Sequence, residues 1–143
     1  MFELLDQKES PEELDVKTSQ NILYGHALLK GVQTGAFLGV VCGSLFYLKN
    51  RKASSLMSNI NKFSNGGQVL FGSIVPAMVY LKMKEKENIE WQDRAWRLAY
   101  NKNQNVVDNA SIVGGILGFV AVGSVGVGVA AGVASAAVYN NLT

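Results

Sequence analysis

The 24 charged side chains of this 143-residue sequence are absent from three long stretches. None lies between Lys30 and Lys49, none between Lys62 and Lys82, and none after Asp108, which leaves gaps of 18, 19 and 35 residues. A water-soluble domain keeps a wet face on every helix and strand, so charge recurs along each element. Gaps of this length instead match the thickness of a bilayer's hydrocarbon layer. The pattern therefore disfavours a soluble enzyme and predicts a small all-α membrane protein that crosses the bilayer several times.

Each gap carries its own flanking signals. The first, Gly31 to Leu48, would rise about 27 Å as a helix, with Tyr47 suited to an aromatic belt and Lys30 placed to snorkel to the headgroups. The second, Phe63 to Leu81, would rise about 28 Å; Pro76 inside it is tolerable where neighbouring helices satisfy the freed carbonyl. The last gap is too long for one crossing, since residues 109–139 would run about 46 Å. Splitting it near Gly123-Ser124 yields two short spans. The sequence thus supports three or four transmembrane helices, and we favour four, over about 26–48, 63–82, 106–122 and 124–140. Between the second and third, residues 84–105 place Trp91, Ala95 and Leu98 on one side at helical spacing. That pattern predicts an interfacial amphipathic helix. The whole of 21–143 reads as one transmembrane domain behind an acidic tail, residues 1–20, in which Ser10-Pro11-Glu12-Glu13 looks like a helix start.

The sharpest pattern lies inside the gaps. Gly31, Gly35, Gly39 and Gly43 recur at every fourth position, three GxxxG motifs in series. Residues four apart share a helix face, so this face is a groove without side chains that another backbone can approach closely. Gly72, with Gln68, gives the second span a shorter version. Ala110, Gly114 and Gly118 form a third such face, and Ser124, Gly128, Gly132 and Ala136 a fourth. These glycines are expected to form helix-packing seams.

Chemistry-bearing groups are scarce. Cys42 is the only cysteine and His26 the only histidine, so neither a disulfide nor a thiolate or histidine metal cage is expected. Polar groups at membrane depth are Gln33, Thr34, Gln68, Ser73 and Ser111. The ionisable candidates, His26, Lys30 and Asp108, all fall near predicted helix ends. Asp108 reads as an N-cap or first-turn acid of the third span, His26 as an interfacial histidine, and Cys42 as an inert apolar residue. Nothing assembles a nucleophile, a base and an oxyanion hole, so neither catalysis nor a cofactor or small-molecule substrate is expected. A net charge of +2 with no basic, aromatic-laced stripe argues against nucleic acid.

The charges between the gaps are asymmetric. Residues 49–62 carry four positive charges and no acid, whereas the first twenty residues carry six acids and two lysines. The positive-inside rule places the loop in the cytoplasm-equivalent compartment and the N-terminus opposite. Lys49, Arg51 and Lys52 are candidate contacts for anionic lipid headgroups such as cardiolipin.

Short spans with GxxxG series, an acid just before the third span and a glycine-rich tail resemble the mitochondrial inner-membrane (Tim-type) translocase superfamily. Its members include preprotein channels, related transporters and an accessory subunit of respiratory complex I. The most specific region is Gln104-x-x-x-Asp108 followed by Gly114-Gly115-x-x-Gly118, which looks like the family's arginine–aspartate signature and glycine pair. Glutamine stands here where the family places arginine. The resemblance implies termini in the intermembrane space and the first loop in the matrix. With seams retained and intramembrane polar groups sparse, it implies a non-catalytic accessory subunit, first of NADH dehydrogenase complex I. A component of a preprotein translocase or a related organellar transport pore is the alternative. Partners would be membrane subunits of a large complex and lipid.

Overall fold

The structure is a computed structural model that describes residues 10–50 and 55–142. Among the described residues, a 3-10 turn, Pro11–Glu13, leads into five α-helices: α1 (Val16–Lys49), α2 (Leu56–Met83), α3 (Asn88–Ala99), α4 (Lys102–Val122) and α5 (Val125–Leu142). No strand occurs among the described residues. Three of the helices, α1, α4 and α5, are long and apolar enough to cross a membrane. α2 has the length, at 28 residues, but its first half carries Asn59, Asn61, Lys62 and Asn65.

Local chemistry sets each boundary. Asp15 caps α1 by accepting the Thr18 N–H at 3.1 Å, so the helix begins ten residues before the expected span. The Ser10-Pro11 helix start is confined to the 3-10 turn, which Leu14 ends in an extended conformation. Ser55 caps α2 through the Ser58 N–H. The expected amphipathic connector divides at Tyr100-Asn101. Asn101 then caps α4 by accepting the Gln104 N–H at 3.1 Å, which starts that helix at Lys102, before the expected 106. Gly123 ends α4 at φ 67°, in the left-handed region where a Cβ is strained. The Gly123 and Ser124 N–H groups return to the carbonyls of Phe119 and Gly118. The Ser124 hydroxyl then accepts the Val127 N–H and opens α5.

These helices form two antiparallel hairpins, α1–α2 and α4–α5, each joined along its length. α5 crosses both α1 and α2, and α3 lies on α1. The approach within each hairpin is backbone to backbone. A Cβ added at Gly31 would fall on the Phe71 carbonyl, one at Gly35 on the Gly67 carbonyl, one at Gly39 on the Ser64 Cα and one at Gly43 on the Ile60 Cα. In the second hairpin a Cβ at Gly114 would fall on the Gly128 carbonyl, and one at Gly128 on the Gly114 carbonyl.

Side-chain packing is concentrated at one end. Ile22, Leu23, Met83, Trp91 and Ala95 make a small core where α3 seals the top of the first hairpin, with Tyr24, Val79 and Leu98 against it. Elsewhere many large apolar side chains point outward, among them Val69, Ile116, Leu117, Phe119 and Val120, the last 78% exposed, while Ile60 and Val129 are buried. Small residues inside and large apolar residues outside reverse the distribution of a water-soluble domain.

Candidate functional site

Two helices present matching ladders of polar residues. On α1, His26, Lys30 and Gln33 stand at i, i+4 and i+7; on α4, Gln104, Asp108 and Ser111 have the same spacing. Residues so spaced share one helix face. The ladders face each other, and Asp108 is the hub.

The Asp108 Oδ1 accepts from Lys30 Nζ at 2.7 Å, from Gln33 Nε2 at 3.0 Å and from Gln104 Nε2 at 3.0 Å. Its Oδ2 lies 3.1 Å from His26 Nδ1. An ionised carboxylate only accepts, so this pairing makes Nδ1 the protonated nitrogen of the ring. Lys30 also donates to Gln33 Oε1 at 2.7 Å. Gln33 Nε2 donates to Ser111 Oγ at 2.8 Å, and that hydroxyl donates back to the Asp108 carbonyl at 2.8 Å. Gln33, Asp108 and Ser111 are all buried. A carboxylate in this position is tolerable because its charge is matched by an ammonium and its lone pairs are occupied by donors.

Below this cluster α1 and α4 part. A groove of about 360 Å³ opens between them, walled by Leu29, Val32, Ile112, Ile116, Phe119 and Val129. Polar side chains therefore bridge the hairpins above an apolar gap. Among the described residues, no group of three or more His, Cys, Asp or Glu side chains is placed to hold a metal ion.

The family match covers residues 2–143, both hairpins and every member of the cluster included. The chain belongs to the family described as Protein of unknown function (DUF1757). No curated protein and no solved structure matches it.

Several residues singled out in the sequence occupy other roles in the structure. Asp108 is not a cap: Asn101 takes that position, and Asp108 sits in the second turn of a helix that starts earlier than expected. Lys30 does not reach for headgroups, because its ammonium is held by Asp108 and Gln33. Cys42 is exposed on α1. Gly31, Gly35, Gly39 and Gly43 line the α1–α2 contact, and Gly114, Gly118, Gly128 and Gly132 the α4–α5 contact. Gly72 differs, since a Cβ there would meet only the side chains of Val32 and Leu28 at ordinary distances. Its own Cα nonetheless lies in the close contact with Gly31, and Gly67 makes a further close contact on α2, with Gly35. Lys49 ends α1, while Arg51 and Lys52 lie outside the described residues. The polar cluster itself was overlooked as a unit, although its signal, the same i, i+4, i+7 spacing at 26/30/33 and 104/108/111, is present in the sequence.

Proposed function

We propose that this protein is a non-catalytic, multi-pass structural subunit of a larger membrane assembly, with α1, α2, α4 and α5 all crossing the bilayer. The observation that carries this reading is the division of labour within the bundle. Glycine faces are spent on backbone-to-backbone pairing inside each hairpin, and large apolar side chains are left on the outside. The GxxxG series act as packing seams in this account. The intramembrane polar groups support the same role. Every member of the Asp108 cluster has a partner within the cluster, as expected of a joint between hairpins.

The assembly we favour is a respiratory complex of the mitochondrial inner membrane, complex I first. The support is the resemblance of Gln104-x-x-x-Asp108 and the following glycines to the translocase superfamily signature, together with the mutual pairing of His26, Lys30 and Asp108. In this account the termini face the intermembrane space, and the basic first loop faces the matrix among anionic lipids.

A native gel of a mild detergent extract tests the proposal. Co-migration of the chain with NADH dehydrogenase activity is the expected result. Migration in a smaller complex that binds a preprotein would replace it with the translocase reading. Extraction by alkaline carbonate would remove the membrane-spanning account altogether.

A further inference from the structure

The seam between α2 and α5 carries polar groups that stand apart from the Asp108 cluster. Asn61, Ser64 and Gln68 lie at i, i+3 and i+7 on α2 and so share one face. Ser64 is fully buried, and Asn61 and Gln68 are half-buried. The Asn61 Oδ1, Ser64 Oγ and Gln68 Nε2 atoms are themselves shielded from solvent, and none has a hydrogen-bond partner among the described residues. Ser44, Ser73 and Ser135 return their hydroxyls to the carbonyl four residues earlier, as serines inside helices commonly do. Ser64 does not. A buried polar atom left unmet bears its full desolvation cost, so the stripe needs a partner.

The stripe faces the start of α5. A Cβ built on Gly126 would fall on Ser64 Oγ and would lie 3.2 Å from Gln68 Nε2. Cα–Cβ bonds tilt toward the N-terminus of their helix, so both atoms lie over the first turn of α5. That turn has donors of its own. Ser124 takes the Val127 N–H on its hydroxyl and the Gly128 N–H on its carbonyl, which leaves the Val125 and Gly126 N–H groups outside the helical ladder. Lys30 pairs with Asp108 and Gln33 with Ser111, so α1 and α4 run in one direction and α2 and α5 in the other. Asn61, one turn before Ser64, therefore stands at about the level of the Gly123-Ser124 turn.

The chemistry of these atoms selects a ligand. Asn61 Oδ1 needs a donor, Gln68 Nε2 and the α5 N–H groups need acceptors, and the Ser64 hydroxyl serves as either. An anion would suit the donors and repel Asn61 Oδ1, whereas a cation would do the reverse. Water meets both demands. Ser64 Oγ and Gln68 Nε2 flank one point, nearer to each other than the roughly 6 Å that a water spans with two hydrogen bonds. Buried waters hold such positions on about three polar partners each.

We infer that a short run of ordered water is bound between α2 and the first turn of α5. Its first member accepts from Gln68 Nε2 and donates to Ser64 Oγ. The Ser64 hydroxyl donates to the next, which donates in turn to Asn61 Oδ1. α5 is thereby tied to the first hairpin through water at this level, while α4 is tied to it by the direct Lys30–Asp108 pair nearer the other end. The site depends on α5 packing against α2, whatever assembly the chain joins.

Crystals of the full chain grown in a lipidic phase, diffracting well enough to resolve ordered water, test the assignment. The expected result is density for an oxygen within about 3.2 Å of both Ser64 Oγ and Gln68 Nε2. Direct hydrogen bonds from both groups to main-chain carbonyls, with no density between them, would overturn it. So would an anomalous peak at that position after bromide replaces chloride, because the occupant would then be an anion. In Gln68→Leu the bridging density should be lost while the Asp108 cluster keeps its bonds. Density that stays in place in that variant would show that Gln68 does not hold the water, and would also overturn the assignment.

Discussion

Lys30 Nζ stands 2.7 Å from Asp108 Oδ1, an ion pair that joins the first hairpin to the second across 78 positions of sequence. The Asp108 side chain is only 6% exposed, so its charge depends on that partner and on the three further donors around it. Asp108→Asn leaves the ammonium without its counter-charge inside the bundle. Breaking a buried pair from one side typically costs about 3–5 kcal/mol. We expect a loss of that order in detergent-denaturation midpoints followed by circular dichroism, with part of it recovered in the Lys30→Gln/Asp108→Asn double variant. An unchanged midpoint for Asp108→Asn would mean the hairpins are held elsewhere.

The glycines differ from one another in a way that a substitution series can read. A Cβ at Gly35 would overlap the Gly67 backbone, whereas one at Gly25 or Gly66 would meet nothing within 4 Å. Gly35→Ala should destabilise by about 1–3 kcal/mol, the usual cost of overpacking. Gly25→Ala should be neutral or stabilising by up to about 1 kcal/mol, through helix propensity alone. Gly35→Leu or Gly39→Leu should abolish assembly on the native gel. Equal effects at positions 25 and 35 would refute close packing of α1 on α2.

Gly123 poses a different constraint. Nothing crowds it, but its φ of 67° is left-handed. Gly123→Ala should therefore cost about 1–2 kcal/mol from backbone strain, and Gly123→Asn less, because asparagine tolerates that region. A series with no dependence on residue type would show that the turn can rearrange.

Trp91 anchors α3 to the first hairpin, where it is 5% exposed and its ring lies 5.8 Å from that of Tyr24. Trp91→Ala should cost about 3–5 kcal/mol locally. It should also open the 84–101 segment to protease while α4 and α5 stay protected. Protection of that segment in the variant would mean that the Gln92 bond to the Leu14 carbonyl, or other contacts, suffices to hold α3.

How much of this was legible beforehand varies by level. Helix identity was readable because charge-free length and period are local properties of the chain. The division of the last gap at Gly123-Ser124 was readable as well, since a glycine beside a serine supplies both a left-handed stop and a cap. The start of α4 was not, because Asp108 looked like the available cap and Asn101 lay hidden in a polar connector. The role of Lys30 was equally hidden. From the sequence it is a charge at the edge of an apolar run, and water or headgroups are its default partners.

Periodicity along the chain determined which face of each helix is flat and which is bulky, because side-chain direction follows residue number once a helix forms. It did not determine which flat face meets which. Only the tertiary structure set Gly35 against Gly67, and Gly31 against Phe71 and Gly72, since a shift of one turn along a hairpin preserves the pattern and changes the partner. Only the tertiary structure also brought the ladder at 26, 30 and 33 to the ladder at 104, 108 and 111. Neither ladder is satisfied alone. A carboxylate and an ammonium taken out of water each need the other, and chain folding alone supplies that neighbour.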